Sequence, residues 1–280
     1  MIPAEFDYVA PTTIEEAIAA LGGDEDAKLL AGGHSLVPLM KLRLAAPTRL
    51  VDLRRIEGLR GISRDGDRWR IGSMTRHADL QVRDDLGLIA SAAALIADQQ
   101  VRNRGTFGGS VAHGDPASDL PTVLLTLDGT VSVTGPGGVR EIAAGDVFQD
   151  YLTTALAPDE VMTALHVPAL DDWGHGYQKF TRRSEDWAIV GVCAVVRKAA
   201  DGTCADVRVG LTNMGSTPLR ATAVEAALRG QPLTGEAIAA AAAHADEGTE
   251  PAADLNATAD YKRHLARVLT GRALREAVAA

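Results

Sequence analysis

Two glycine-bearing segments stand out as places where main chain rather than side chains would do the binding. Ala31-Gly32-Gly33-His34-Ser35 lies between a short apolar run and a helix-like one. Glycines let a ligand approach the backbone closely, the first N–H groups of a helix lack intrahelical partners, and the helix dipole adds roughly 0.3–1 kcal/mol for a favourably placed charge. The segment has the form of a diphosphate cradle, and a plain turn with Ser35 as helix N-cap fits the same residues. The second segment, Gly105-Thr106-Phe107-Gly108-Gly109-Ser110, follows the polar run 98–104 and leads into 111–119. This stretch is rich in glycine and poor in large apolar side chains, so it reads as backbone arranged around a ligand. Two such segments can grip a diphosphate from both sides. Asp119 is placed to accept hydrogen bonds from ribityl or ribose hydroxyls, and it also fits a simple cap of the helix over 120–127.

Other chemistry has less to stand on. The chain has no G-x-G-x-x-G, no Walker A lysine, no H-E-x-x-H and no G-x-S-x-G, which removes the best support for nicotinamide, P-loop, zincin and α/β-hydrolase readings. His113 and Asp115 lack the further ligands a closed metal site needs. Arg182-Arg183 with Glu185-Asp186 reads as a solvated or salt-bridged turn, and Trp187 fits either a core aromatic or a ring stacked on a ligand. The two cysteines, Cys193 and Cys204, are too few for an iron–sulfur cluster or structural zinc, and their spacing around Ala200-Asp201-Gly202 suggests neighbouring hairpin strands carrying reduced packing residues, with a disulfide as the alternative. Any redox centre would have to be a bound organic cofactor.

The elements that must position these residues follow from periodicity and caps. Thr13-Ile14-Glu15-Glu16 is a capping box that starts a short amphipathic helix ended by Gly22-Gly23. A strand over 28–31, a helix over 36–44 with Pro38 in its first turn, and a strand over 49–53 predict a small parallel βαβ unit. Beyond Trp69 the pattern turns to mixed elements: a helix over 86–98, strands over 130–134 and 139–143 around the turn Gly135-Pro136-Gly137-Gly138, and a strand over 161–167. Residues 168–176 form the linker candidate. Strands over 177–182, 188–198 and 206–212 then precede helices near 218–229, 235–245 and 258–277, an α+β arrangement.

Composition bounds the rest. The 280 residues are 46% hydrophobic and 23% charged, enough for one large or two moderate cores, and the net charge of −9 argues against nucleic acid as a partner. The longest apolar stretch, 187–196, is about half of the roughly 20 residues a spanning helix needs, and the first residues lack a signal-peptide pattern. The expectation is a cytoplasmic protein with at most peripheral membrane association.

Leu30-Ala31-Gly32-Gly33-His34-Ser35-Leu36 with Val51-Asp52-Leu53, and the run from Ile96 through Asp98-Gln99-Gln100-Val101-Arg102-Asn103-Arg104 to Ser110, resemble the FAD-binding subunits of molybdenum hydroxylases, which carry the FAD domain of the xanthine dehydrogenase family. Within that family the chain is most similar to the medium subunits of aerobic carbon monoxide dehydrogenases. The resemblance extends over essentially the whole chain, including Met1-Ile2-Pro3, Phe6-Asp7-Tyr8 and Gly210-Leu211-Thr212-Asn213. It implies an α+β fold with a two-lobed FAD-binding domain over 1–170, a small βαβ lobe (1–55) and a larger mixed lobe (56–170). A C-terminal domain of antiparallel sheet and helices over 177–280 would follow.

Carried over by position, Gly32, Gly33, His34 and Ser35 with Thr106, Gly108, Gly109 and Ser110 would hold the FAD diphosphate, and Asp119 would hold hydroxyls. Lys28, Ala31, Leu36, Ala97, Val101, Ala112, Leu165, Lys179 and Trp187 complete the implied lining. Two positions depart from the family. Ser110 stands where Gly-Gly-Asn is common, and Asp186-Trp187-Ala188 stands where the carbon monoxide dehydrogenase subunits have Asp-Tyr-Ala, leaving Trp187 to stack on an isoalloxazine face.

The resemblance further implies an electron-transfer subunit with no catalytic residue beyond the flavin and no metal of its own. Electrons would come from 2Fe-2S clusters on a small partner, fed by a molybdenum cofactor on a large partner, and leave to a quinone or another acceptor, in a dimer of heterotrimers. A self-sufficient FAD-dependent oxidoreductase and a non-catalytic nucleotide-binding partner are the rival readings. Carbon monoxide, a purine, an aldehyde and an N-heterocycle all remain open as substrate.

Overall fold

The chain opens with a three-stranded parallel sheet built from β1 (Asp7–Val9), β2 (Lys28–Leu30) and β3 (Arg49–Asp52) in the order β1-β3-β2, with α1 (Ile14–Leu21) and α2 (Leu36–Lys41) as crossovers. The structure is a computed structural model that describes all 280 residues. The Thr13 hydroxyl caps α1 by accepting from the Glu16 N–H at 3.1 Å, and the Glu16 carboxylate reaches back to the Thr12 N–H at 2.8 Å. The predicted βαβ unit is thus present, and β1 extends it by a strand that only three residues encode.

A five-stranded antiparallel sheet follows, in the order β4-β5-β10-β6-β7, from β4 (Ile62–Asp65), β5 (Arg68–Gly72), β6 (Thr130–Gly135), β7 (Gly138–Ala143) and β10 (Val161–Pro168). Between β5 and β6 run α3 (His77–Leu80), α4 (Leu88–Ala94), α5 (Gln99–Arg102), α6 (Phe107–His113) and α7 (Asp119–Thr126). A short turn, α8 (Ala144–Val147), and the ribbon of β8 (Phe148–Asp150) with β9 (Thr153–Thr154) lead into β10. The β6–β7 hairpin closes on Pro136-Gly137 with Gly135 paired to Gly138, as the turn residues predict.

The last sheet is antiparallel, β11-β12-β13-β14, from β11 (Trp173–Phe180), β12 (Val190–Lys198), β13 (Cys204–Thr212) and β14 (Leu219–Arg220). It is followed by α9 (Thr222–Leu228), α10 (Gly235–Ala242) and α11 (Ala259–Ala279). Strand β12 explains its own unbroken apolar run. Cys193 and Val195 join the core formed with α4, α7 and the five-stranded sheet, while Val190, Val192, Ala194 and Val196 face the core under α9–α11. A strand covered on both faces has no polar side to alternate with. Helix α11 lies directly on β11, because Gly174 and Gly176 present no side chain to the Ala277 and Ala273 carbonyls.

Most expected elements shift at their ends, α2 for instance stopping at Lys41, and three of the differences bear on the site or the domain division. The helix over 86–98 is only α4, because the Arg102 guanidinium binds the Ile96 and Ala97 carbonyls at 2.7 and 3.0 Å and Asp98 starts α5 by accepting from the Val101 N–H. Ala97 between them adopts φ +42°. The linker over 168–176 shrinks to 169–172, since β11 begins at Trp173. The segment 105–110 is not a free loop: from Phe107 it is the first turn of α6. The cysteines lie on the neighbouring strands β12 and β13, both buried and unbridged.

Candidate dinucleotide site

A cavity of about 650 Å³ opens where the parallel sheet's carboxyl end faces α6 and α7. Of the residues proposed from sequence, every one except Leu165 lines it: Lys28, Ala31, Gly32, Gly33, His34, Ser35, Leu36, Ala97, Val101, Thr106, Gly108, Gly109, Ser110, Ala112, Asp119, Lys179 and Trp187. Leu165 is fully buried in the core instead, on a central strand between Ile71 and Val131. Met162 of the same strand reaches the cavity.

The segment between β2 and α2 offers the main-chain donors. The N–H groups of Gly32, Gly33, His34, Ser35 and Leu36 donate to no protein acceptor, and all five residues line the cavity. Four of these residues are half-buried and His34 is exposed, and a run of five N–H groups without a protein partner along one concave wall marks a place for a multivalent acceptor. Gly33 sits at φ +80°, which turns the run around the cavity at a conformation that glycine tolerates best. The Ser35 hydroxyl makes no capping bond, so the plain N-cap reading of this residue does not hold.

The second glycine segment works differently from the expectation. Its early N–H groups are already spent: Phe107 on the Thr75 carbonyl, Gly108 on the Ser73 carbonyl, Gly109 on the Thr106 hydroxyl and Ser110 on the Thr106 carbonyl, at 2.9–3.1 Å. It therefore supplies surface, dipole and the Ser110 side chain, but no free backbone donor from 107 to 110. Its glycines make room for other neighbours, Gly105 for the His77 ring and Gly108 for Ser73, and it is Gly32 of the first segment that allows the two segments to meet. A Cβ on Gly32 would lie 2.4 Å from the Arg104 carbonyl oxygen and 2.8 Å from Gly105 Cα.

At the far end Asp119 is the first residue of α7, and Ser118 is its N-cap. Its carboxylate accepts from the Tyr177 hydroxyl and forms a 3.0 Å ion pair with Lys179 Nζ, both side chains of the pair being about 5% exposed or less. Lys179 also donates to the Leu95 carbonyl at 3.1 Å. Burial raises the Asp119 carboxyl, opposed by the Lys179 ammonium and the two hydrogen bonds, and burial beside Asp119 holds Tyr177 well above its ordinary range. Tyr177 is thus a fixed donor, and the carboxylate oxygens keep lone pairs for a ligand hydroxyl. On the rim Trp187 is 54% exposed, carried by a turn in which Arg183 pairs with Asp186 at 2.9 Å.

Ser73 and Met74, from the turn after β5, and His77, the first residue of α3, also line the cavity, and no motif in the sequence marks them. Burial, with His34 and Arg102 adding to it, pushes His77 down to about 4, so its imidazole is neutral. Its Nδ1 and the Ser73 hydroxyl are buried without a protein partner. Five free main-chain donors for a diphosphate, a carboxylate for hydroxyls and an aromatic rim fit a flavin dinucleotide.

Comparison with known proteins agrees with this chemistry. A family model described as "FAD binding domain in molybdopterin dehydrogenase" matches residues 4–170, and one described as "CO dehydrogenase flavoprotein C-terminal domain" matches residues 175–277. The chain belongs to the FAD-binding flavoprotein subunits of the molybdopterin dehydrogenases, an oxidoreductase class, and FAD is the cofactor of this chain. It is 45% identical to the carbon monoxide dehydrogenase medium chain of Hydrogenophaga pseudoflava, over 99% of this chain and 98% of that protein. It is 39% identical to the nicotine 6-hydroxylase medium subunit of Paenarthrobacter nicotinovorans, over 96% of each. The solved carbon monoxide dehydrogenase from Hydrogenophaga pseudoflava that lacks the Mo-pyranopterin moiety superposes with a TM-score of 0.96 at 47% identity, covering 100% of this chain and 99% of that one.

Proposed function

We propose that this chain is the medium, FAD-carrying subunit of a carbon monoxide dehydrogenase-type molybdenum hydroxylase. It would stand between 2Fe-2S clusters on a small partner, fed by a molybdenum cofactor on a large partner, and an external acceptor, a quinone being the first candidate. The observation that carries this reading is the run of five unpartnered N–H groups over 32–36 on the wall of a dinucleotide-sized cavity. Bound FAD supplies reversible electron chemistry that no side chain offers.

The chain's own residues bind and orient. Residues 32–36 donate to the diphosphate, the α6 turn closes the opposite wall, Asp119 accepts from ribityl hydroxyls, and Lys179 fixes Asp119 while presenting a positive charge to the cavity. Trp187 covers one isoalloxazine face. The division at the short linker 169–172 gives the FAD lobe before it and, from Trp173 on, a C-terminal platform that contributes Lys179 and Trp187. A dimer of heterotrimers in the cytoplasm completes the assembly. No helix is long and apolar enough to cross a membrane.

The similarity to both carbon monoxide and nicotine enzymes supports placing substrate choice on the large partner. The test is the visible spectrum, before and after dithionite, of the assembly that co-purifies with this chain from its host, together with carbon monoxide oxidation by that assembly. Flavin bands over broad iron–sulfur absorbance with carbon monoxide turnover are expected. A bleachable flavin alone, with turnover by the isolated chain, overturns the subunit reading, and an inactive assembly overturns the choice of carbon monoxide.

A further inference from the structure

A second cavity, of about 200 Å³, shares Ala31, Met74 and Thr106 with the large one and is otherwise lined by Asp52 and four arginines: Arg54, Arg60, Arg76 and Arg104. Arg54 and Arg60 lie in the connection between β3 and β4, Arg76 between β5 and α3, and Arg104 between α5 and α6. Asp52 is the single carboxylate among them, and it is fully engaged: it pairs with Arg54 Nε at 2.8 Å and accepts from the Arg54 N–H at 2.9 Å and the Tyr8 hydroxyl at 2.8 Å. The guanidinium groups of Arg60, Arg76 and Arg104 make no hydrogen bond or ion pair within the chain.

Arg60 and Arg104 are exposed and Arg76 is half-buried, so solvent screens part of the repulsion among these three unneutralised guanidinium groups, and an anion bridging them at the cavity removes the remainder. Planar guanidinium donors match the oxygens of a phosphate or similar oxyanion in two-point geometry. The location is also one where ligands collect, since Ala31 follows β2 and Asp52 ends β3, at the carboxyl edge of a parallel sheet. The volume lies below the roughly 300–1,000 Å³ of pockets for drug-sized ligands, so it suits a group of phosphate size rather than a nucleotide.

We propose that this arginine cluster is a binding site for a small oxyanion of the phosphate class, taken from solution and distinct from the flavin diphosphate. The site abuts the contact between the two glycine segments, so an anion there draws Arg76 and Arg104 together beside the flavin cradle.

The test is calorimetric titration of inorganic phosphate into the FAD-loaded full-length chain in a low-chloride buffer, for the wild type, Arg60→Gln and Arg76→Gln. Arg60 is exposed, so its variant is the safer one for folding, and circular dichroism checks both. One saturable phosphate per chain is expected, weakened about tenfold or more in each variant and by added salt, with flavin content unchanged. Absence of binding to the wild type overturns the proposal, as does phosphate binding that both variants leave intact. Variants that lose FAD rather than phosphate also overturn it, because the arginines then belong to the flavin site.

Discussion

Replacing Gly32 with Ala is the sharpest perturbation of the cradle. The new Cβ would meet the Arg104 carbonyl oxygen at 2.4 Å and Gly105 Cα at 2.8 Å, where ordinary contact begins near 3.4 Å. Both neighbours are main-chain atoms, so no rotamer relieves the clash, and the two glycine segments must part by about 1 Å. A donor displaced by that much from a normal hydrogen bond no longer makes it. Bonds to a charged acceptor contribute about 1.5–3 kcal/mol each, so losing one or two of the five donors weakens FAD binding by about ten- to a hundredfold or more. Overpacking also costs about 1–3 kcal/mol of stability, which Gly23→Ala controls for. That residue sits at φ +78° with no atom within 4 Å of its Cβ, so the left-handed strain costs about 1–2 kcal/mol far from the cavity. Flavin-fluorescence titration and urea unfolding of both variants give the answer. Gly32→Ala binding FAD within twofold of the wild type would refute the reasoning, as would Gly23→Ala losing as much affinity.

Three further outcomes follow from the same geometry. His77 stands at about 4 against an ordinary 6.5, a depressed folded value, so it contributes stability above pH 6.5 that is lost as the pH falls toward 4. The slope is up to about 1.4 kcal/mol per pH unit and about 3 kcal/mol in all, and urea midpoints for His77→Gln should be flatter over that window; equal slopes contradict the burial argument. Gly176→Ala puts a Cβ 2.2 Å from the Ala273 carbonyl oxygen and should cost about 3 kcal/mol by lifting α11 from β11, seen as a lowered thermal midpoint. Burial pushes the Cys193 and Cys204 thiols up to about 12 and about 11, so neither should react with a thiol reagent at pH 8 until the chain unfolds, and rapid labelling of the native chain would count against that.

The elements whose local signals and tertiary surroundings agree are legible in the amino-acid sequence alone. The Thr13 cap, the β2-α2-β3 unit, the Gly135–Gly138 turn and the covered strand β12 each combine a pattern with matching end residues. What the sequence hides is decided by distant contacts. Gly108 and Gly109 disfavour a helix, yet α6 forms because Thr106 caps it and the Ser73 and Thr75 carbonyls take its first N–H groups. The break at Ala97 depends on Arg102 reaching back to two carbonyls. The implied lining at Leu165 fails because β10 is a central strand covered on both faces, so neighbouring positions differ in what they touch. Ser73, His77, Arg54, Arg60 and Arg76 lie outside the motifs and Arg104 inside one, and only the fold brings the four arginines together.

The crystal structure of the FAD-loaded full-length chain tests the central claim most directly. The expected result is a diphosphate within hydrogen-bond distance of the N–H groups of residues 32–36, with the ribityl chain at Asp119 and the isoalloxazine beside Trp187. A diphosphate held elsewhere, with those five N–H groups still unpartnered, would contradict it.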